Sequence, residues 1–118
     1  MKNIVEKVSE TTKVPDKLLT EYPEFPTKIK IEVTSRCDLS CFFCDREDIG
    51  LGDMNRELIF RILKEAKEIG VKEVGLFWIG ESLLVKDLPE YVSFAKNIGI
   101  DYVFVTTNGR MATPERIK

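Results

Sequence analysis

Apolar side chains along the chain follow two spacings, one typical of strands and the other of helices. In residues 29–33 apolar and charged residues alternate, which predicts a short strand. After Asn55, a favoured N-cap, apolar residues recur at helical spacing, namely Ile59, Ile62, Leu63, Ala66 and Ile69. Gly70 stands where a left-handed C-terminal stop is expected. The pattern therefore predicts a strand followed by a helix that packs one face on a sheet.

A second unit repeats this order. Residues 73–79 are nearly all apolar, as in a parallel strand that is covered on both faces. A helix is predicted from about residue 88 to residue 98, with Asp87 as N-cap, Pro89 in its first turn and Gly99 as its stop. Its buried stripe comprises Tyr91, Val92, Ala95 and Ile98.

A third unit begins with a strand predicted over residues 101–106. The sequence Thr113-Pro114-Glu115 combines a cap, a first-turn proline and an acid, and it predicts the start of another helix. Strands joined by helical crossovers pair in parallel, with right-handed connections. We therefore predict an α/β fold with three parallel βα units in a domain over residues 28–118.

An open sheet of three strands leaves two unpaired edges. It also has no opposite wall against which Phe77, Trp78 and Phe104 could be buried. We expect that the chain is a fragment, or that another copy or chain completes it, with self-association through the open edges.

The first part of the chain, residues 1–27, has a different pattern. Apolar residues at helical spacing within residues 2–13 predict a short amphipathic helix with a thin apolar stripe, formed by Ile4, Val5 and Val8. A connector follows in which prolines interrupt any long element, at Pro15, Pro23 and Pro26. We expect this leader to pack as an extension on something larger.

Composition excludes several classes of protein. Of the 118 residues, 43% are hydrophobic and 32% are charged, as in a soluble globular domain. The net charge of −2 gives no basic footprint for nucleic acid. No apolar run approaches the about 18–20 residues that span a bilayer, and no signal peptide is visible. These features, together with unpaired thiols, favour the cytoplasm.

All the cysteines of the chain stand in the loop after the first predicted strand. Cys37, Cys41 and Cys44 have the spacing C-x3-C-x2-C. Iron–sulfur clusters are held by cysteine thiolates, normally four of them. Three thiolates within eight residues can hold one metal centre and leave a coordination position open for a ligand that is not protein, as catalytic metal sites do.

These thiols have other interpretations. A structural disulfide would leave one of three cysteines unpaired. A closed zinc site needs four ligands, and the chain has no histidine, although Asp38 or Asp45 could complete the set. Inert buried cysteines at so tight a spacing would be a coincidence.

The C-x3-C-x2-C loop directly after a first strand, with aromatic Phe43 before the last cysteine, resembles the signature of the radical S-adenosylmethionine (radical SAM) superfamily. The resemblance implies that Cys37, Cys41 and Cys44 hold a [4Fe–4S] cluster whose fourth iron binds S-adenosyl-L-methionine. It further implies reductive cleavage to a 5′-deoxyadenosyl radical, hydrogen abstraction from an unidentified substrate, and an external one-electron donor such as flavodoxin or ferredoxin.

The resemblance also has consequences for the fold. The core of the family is a partial barrel of six βα units, so residues 28–118 correspond to its first half. The residues that bind the ribose, the adenine and the substrate are then expected downstream. The helix and proline-rich connector resemble the leader of peptide-modifying and cofactor-maturing members of the SPASM type.

Two further stretches follow predicted strands, where (β/α) barrels carry their functional groups. Ile79-Gly80-Glu81-Ser82 resembles the Gly-Gly-Glu-Pro motif of the family, in which backbone groups and the acid contact the methionine amino group. Ile79 stands in the first glycine position and Ser82 in the proline position, which leaves the rigidity of this loop in doubt. The alternative is an ordinary turn with a solvated carboxylate.

Thr107-Asn108-Gly109 resembles the Thr-Asn-Gly that follows the third strand of the family, which implies a contact near the cofactor or substrate. The alternative is a simple turn, for which Asn-Gly is favoured. The resemblance likewise places Phe43 against the adenine, with core packing as the alternative. Competing functions are a non-enzymatic metal or electron-transfer module, and an inactive fragment.

Overall fold

A parallel sheet of three strands forms the centre of the structure, a computed structural model that describes residues 3–13, 16, 19, 24–44 and 51–117. The strands are β1 (Lys28–Lys30), β2 (Glu73–Gly75) and β3 (Tyr102–Phe104). They lie in the order β1-β2-β3, and both pairs are parallel. The predicted parallel α/β fold is confirmed.

Each strand is shorter than predicted, because the chain leaves the sheet at its carboxyl edge. Ile31 N still donates to Gly75 O at 2.8 Å, and Leu76 N donates to Phe104 O at 2.9 Å. Beyond this point Thr34 forms an antiparallel bridge with Asp53 instead of continuing along β2. The strand ends therefore open into loops that can approach one another.

In the described part of the chain, α-helices accompany the strands. They are α1 (Ile4–Thr12), α2 (Arg56–Glu68), α3 (Leu88–Asn97) and α4 (Pro114–Ile117). Asn55 caps α2, since its side chain accepts a hydrogen bond from Leu58 N, and Gly70 after the helix has a φ of 92°. Asp87 precedes α3 but makes no side-chain cap bond; its carboxylate lies 3.2 Å from Arg56 Nη1.

Helices α2 and α3 cover one face of the sheet and form the core with it. Their buried residues pack with Val74 and Leu76 of the sheet, and they are Ile59, Leu63, Ala66, Leu88, Tyr91 and Ala95. The predicted stripe of α2 is wrong at Ile69, which is 43% exposed because it lies in the C-cap beyond the last helical turn.

The opposite face of the sheet carries aromatic side chains that pack on one another. The rings of Phe77 and Phe104 have centroids 5.4 Å apart, and Lys30 Nζ lies over the rings of Phe77 and Trp78 at 5.4 and 5.1 Å. Trp78 is 57% exposed and lies beyond the end of β2, whose Val74 and Gly75 are buried. Completion of this face by another copy or chain stays a prediction.

Helix α1 has an exposed apolar stripe, formed by Ile4, Val5 and Val8. Lys7 Nζ lies 5.0 Å from the centroid of the Tyr102 ring, a contact between this helix and β3. Pro15 and Pro23 of the predicted connector, like Asp45, lie outside the described residues. None of the helices that the structure describes is long and apolar enough to cross a membrane.

Candidate functional site

The loop that carries the cysteines is closed at its base by backbone and side-chain hydrogen bonds. Met54 N donates to Val33 O at 2.9 Å, and Ser35 N donates to Gly52 O at the same distance. Gly52 N in turn donates to Ser35 Oγ at 3.0 Å. The two ends of the loop are therefore fixed side by side directly after β1.

A charged pair reinforces this base. Arg36 donates from Nε and Nη2 to the two carboxylate oxygens of Asp53, both at 2.8 Å. Buried Thr34 donates from its hydroxyl to the same carboxylate at 2.6 Å. Hydrogen bonds from Arg36 above all, and from Thr34, hold the pKa of Asp53 below its usual range. No local pattern predicts this pair, whose members are 17 positions apart.

Gly80 lies directly against the beginning of the cysteine loop. A Cβ atom at this position would lie 2.0 Å from Thr34 O and 2.9 Å from Arg36 O. The next residue, Glu81, donates from its backbone N to Arg36 O at 2.8 Å. Gly80 therefore lets the backbone pack against the loop that holds Cys37, and the contact of this backbone with a methionine amino group stays a prediction.

Glu81 is a buried carboxylate with only 2% of its surface exposed. Its Oε1 accepts hydrogen bonds from the Thr107 hydroxyl at 2.7 Å and from Leu83 N at 2.9 Å. Its Oε2 accepts one from Asn108 N at 2.7 Å. The interpretation as a solvated carboxylate is therefore wrong. Three of the roughly four acceptor positions of the carboxylate are used within the chain, and a contact with an ammonium stays a prediction.

Ser82, in the position where the family has proline, points into the core. Its hydroxyl donates to Leu76 O at 2.8 Å, and the side chain is buried. Leu84 N and Val85 N then donate to Glu81 O and Ser82 O, which closes a short 3-10 turn. Hydrogen bonds thus restrain this loop in place of a proline ring.

Ile79, in the position of the first glycine of the motif, is also restrained. Its backbone N donates to Glu32 Oε1 at 3.1 Å, a bond from this loop to the segment that follows β1. Among the described residues, none donates a hydrogen bond to the backbone carbonyl oxygens of Ile79 and Gly80. These two oxygens are free acceptors, among the described residues, in the loop that follows β2.

The loop after β3 reaches across to the first cysteine. Asn108 Nδ2 donates to Asp38 Oδ1 at 2.8 Å and lies 4.0 Å from Cys37 Sγ. Arg110 donates from Nη1 to Asp38 O at 3.0 Å, and its Nε lies 3.6 Å from Asp38 Oδ2. Sequence reasoning missed Arg110 and considered Asp38 only as a metal ligand, because no local pattern links residues about 70 positions apart.

The cysteines themselves are free and half-buried. Cys44 N donates to Cys41 O at 3.0 Å, so the last two stand on one tight turn. In the part of the chain that is described, no three His, Cys, Asp or Glu residues are grouped so that they could hold one metal ion. Phe43 is 78% exposed and meets the Phe42 ring edge-on, so the core-packing interpretation of Phe43 is wrong.

We expect Gly80→Ala to destabilise the protein by about 1–3 kcal/mol, because a methyl group cannot fit 2.0 Å from the Thr34 carbonyl without moving the backbone. Urea unfolding measures this loss. Gly52→Ala is the matched control, since its added Cβ meets nothing within 4 Å. Equal stabilities of the two variants would contradict the close packing at Gly80.

We expect Glu81→Gln to lower the free energy of unfolding by about 1–3 kcal/mol, because an amide NH2 would face donors that now bind a carboxylate oxygen. The same urea titration applies, with Glu68→Gln at the exposed end of α2 as the control. A loss no larger than that of the control would show that the buried carboxylate does not hold the two loops together.

Stability should also depend on pH through Asp53. Its pKa is lowered in the folded protein, so its contribution is present above the unfolded value of about 4 and is lost as pH falls through the folded value. The difference in unfolding free energy between the native chain and Asp53→Asn should be constant near neutrality and shrink in acid. A difference that grows in acid would contradict the ion pair with Arg36.

The sequence and the fold of the chain were compared with those of known proteins. Residues 31–118 match the family described as the Radical SAM superfamily, whose members bind a [4Fe–4S] cluster and S-adenosylmethionine. The chain is 38% identical to a probable GTP 3′,8-cyclase of Methanothermobacter marburgensis over 85 residues, which are 70% of this chain and 28% of that protein. It is 39% identical to a probable GTP 3′,8-cyclase of Pyrococcus horikoshii, over 70% of this chain and 27% of that protein.

The fold is similar to that in the crystal structure of BtrN in complex with AdoMet and 2-DOIA. The TM-score is 0.71 at 22% identity, and the match covers 80% of this chain and 40% of that one. The chain therefore has the fold of part of a radical SAM barrel, and it spans under a third of the length of the curated relatives above. From the match over residues 31–118, the chain belongs to the radical SAM superfamily.

Proposed function

We propose that the chain holds a [4Fe–4S] cluster through Cys37, Cys41 and Cys44 and binds S-adenosyl-L-methionine beside it. The observation that carries this proposal is the convergence of three strand-end loops on Cys37. The Gly80 loop lies against the backbone before Cys37, and the Asn108 side chain reaches the cysteine and its neighbour. Residues 28–118 form this core, and residues 1–27 precede it as a separate leader.

The donor set fits such a cluster. The three thiols are free and stand in one loop whose base is closed. Ligands of a single ion must converge on one point, whereas the thiolates of a cubane each bind a different iron. The chain has three cysteines and no histidine, so it offers no fourth cysteine as a ligand. Three thiolates would therefore leave one iron open for a ligand that is not protein.

The residues around the cysteines would bind and orient S-adenosyl-L-methionine. The backbone carbonyls of Ile79 and Gly80 have no donor among the described residues, and they are suited to accept from the methionine ammonium. Glu81 and Ser82 fix the loop that presents these carbonyls, and Glu81 keeps an acceptor position for the same ammonium. Phe43, exposed at the edge of the loop, is available to stack on the adenine.

Thr107 and Asn108 close the site on the side of β3. Both bind the Glu81 carboxylate, and the Asn108 side chain turns toward the cysteine loop. When bound, the cluster and S-adenosyl-L-methionine supply a one-electron cleavage that gives the 5′-deoxyadenosyl radical for hydrogen abstraction from a substrate. The task of this chain is to position the cofactor and limit side reactions.

An external donor would supply the electron, since all three cysteines are assigned to one cluster and none is left for a second. A flavodoxin or a ferredoxin in a reducing compartment such as the cytoplasm would serve. The similarity to probable GTP 3′,8-cyclases covers 28% of such a relative. This similarity supports the same first step, the reductive cleavage of S-adenosyl-L-methionine, and it does not support the same substrate.

Anaerobic reconstitution with iron and sulfide tests the proposal. We expect about four irons and four sulfides per chain, and loss of most of that iron in each of Cys37→Ala, Cys41→Ala and Cys44→Ala, because a cubane on two thiolates is poorly held. Iron and sulfide analysis measures the effect. Ser40→Ala, exposed in the same loop, is the matched control and should keep its iron.

One zinc per chain and no sulfide uptake would overturn the proposal. With the cluster in place, formation of 5′-deoxyadenosine from S-adenosyl-L-methionine after reduction tests the activity. We expect the 118-residue chain alone to be weak in this assay, since it carries three of the six βα units of the family core.

A further inference from the structure

Asn108 uses its polar groups to join three loops. Its backbone N donates to Glu81 Oε2 at 2.7 Å, and its side-chain Oδ1 accepts from Arg110 N at 2.9 Å. Its Nδ2 donates to Asp38 Oδ1 at 2.8 Å. The bond from Arg110 N is enough to stabilise the turn at Asn108. The bonds to Glu81 and Asp38 are not needed for the turn and call for a separate explanation.

The orientation of the Asn108 amide follows from its partners. A backbone N–H can only donate, so the atom that faces Arg110 N must be the oxygen. An ionised carboxylate can only accept, so the atom that faces Asp38 must be the nitrogen. The NH2 group therefore points at the cysteine loop, and one of its two hydrogens is used by Asp38.

The second hydrogen has Cys37 as its neighbour. Nδ2 lies 4.0 Å from Cys37 Sγ, at the outer limit of a hydrogen bond to sulfur. The backbone of Asn108 is held by buried Glu81, and its amide is held by Asp38. The donor is therefore kept beside the sulfur by groups that do not depend on the sulfur itself.

We propose that Asn108 is a positioning residue that donates an N–H···S hydrogen bond to the Cys37 thiolate and thereby raises the reduction potential of the cluster. The inference rests on the proposed function, since it needs the cluster on Cys37. Hydrogen bonds to the sulfurs are among the factors that set the potentials of iron–sulfur centres. A donor stabilises the reduced state more than the oxidised one, because reduction adds a negative charge to the cluster and its thiolates.

Arg110 also holds Asp38 in place, and Asp38 is the residue that anchors the Asn108 amide. Its guanidinium contacts both the backbone oxygen and the carboxylate of Asp38. This keeps the carboxylate, which anchors the Asn108 amide, turned toward the loop after β3. The cation also offsets the negative charge of Asp38 next to the proposed cluster ligand.

The test compares Asn108→Ser and Asn108→Ala in the reconstituted 118-residue chain. Serine is too short to reach Asp38 or Cys37, but its hydroxyl can still accept from Arg110 N and keep the turn. Neither substitution changes the charge. We expect both variants to reduce less readily, with an equilibrium constant for reduction about tenfold lower, which is about 59 mV for one electron. A redox titration followed by electron paramagnetic resonance measures this shift.

Asn97→Ala, at the exposed end of α3, is the matched control and should leave the potential unchanged. Iron and sulfide contents should stay at the native level in all variants. A native potential in Asn108→Ser with its cluster intact would overturn the proposal. Loss of the cluster from Asn108→Ser would also overturn it, since Asn108 would then serve assembly. Failure of the native chain to take up iron and sulfide would instead refute the proposed function, and this inference with it.

Discussion

The arrangement of the site depends on one buried carboxylate. Glu81 is out of contact with water, where an ionised group is costly unless it is hydrogen-bonded. Its three donors come from its own turn and from the loop after β3, so the carboxylate can be satisfied only if two strand ends meet. The same residue donates its backbone N–H to Arg36 O, which extends the connection to the first strand end. One residue thus makes the geometry of three loops interdependent, through its carboxylate and its backbone N–H.

The departures from the Gly-Gly-Glu-Pro motif leave the loop restrained by other means. A proline would restrict one backbone angle, whereas Ser82 fixes its position through a hydroxyl bond to Leu76 O and a short turn. Ile79 keeps a backbone bond to Glu32, and Gly80 retains the contact that no other residue could make. In this chain the position of the loop backbone is therefore retained, although the first and last residues of the motif differ.

Local structure could be predicted from the sequence, because its determinants lie within a few residues of one another. Asn55, Gly70 and Gly99 mark helix ends through caps and left-handed backbone, and the structure follows them. The contacts that assemble the site have no such signal. The pairing of Arg36 with Asp53, and of Asn108 with Asp38, depends on which loops meet after folding, and each charged residue has many alternative partners in the sequence. The cysteines were singled out by their spacing, and the Gly80 and Asn108 loops by their resemblance to family motifs. Arg36, Asp53 and Arg110 could be assigned to the site only from the fold.

The closed base of the cysteine loop has a thermodynamic consequence for metal uptake. Ser35 and Gly52 are 17 positions apart, and bringing such distant points together costs conformational entropy that grows slowly with loop length. Here the hydrogen bonds of the base meet that cost during folding, before any iron arrives. The proposed cluster would therefore not have to bring these two ends together, and more of its intrinsic affinity would be expressed as occupancy at low iron concentration.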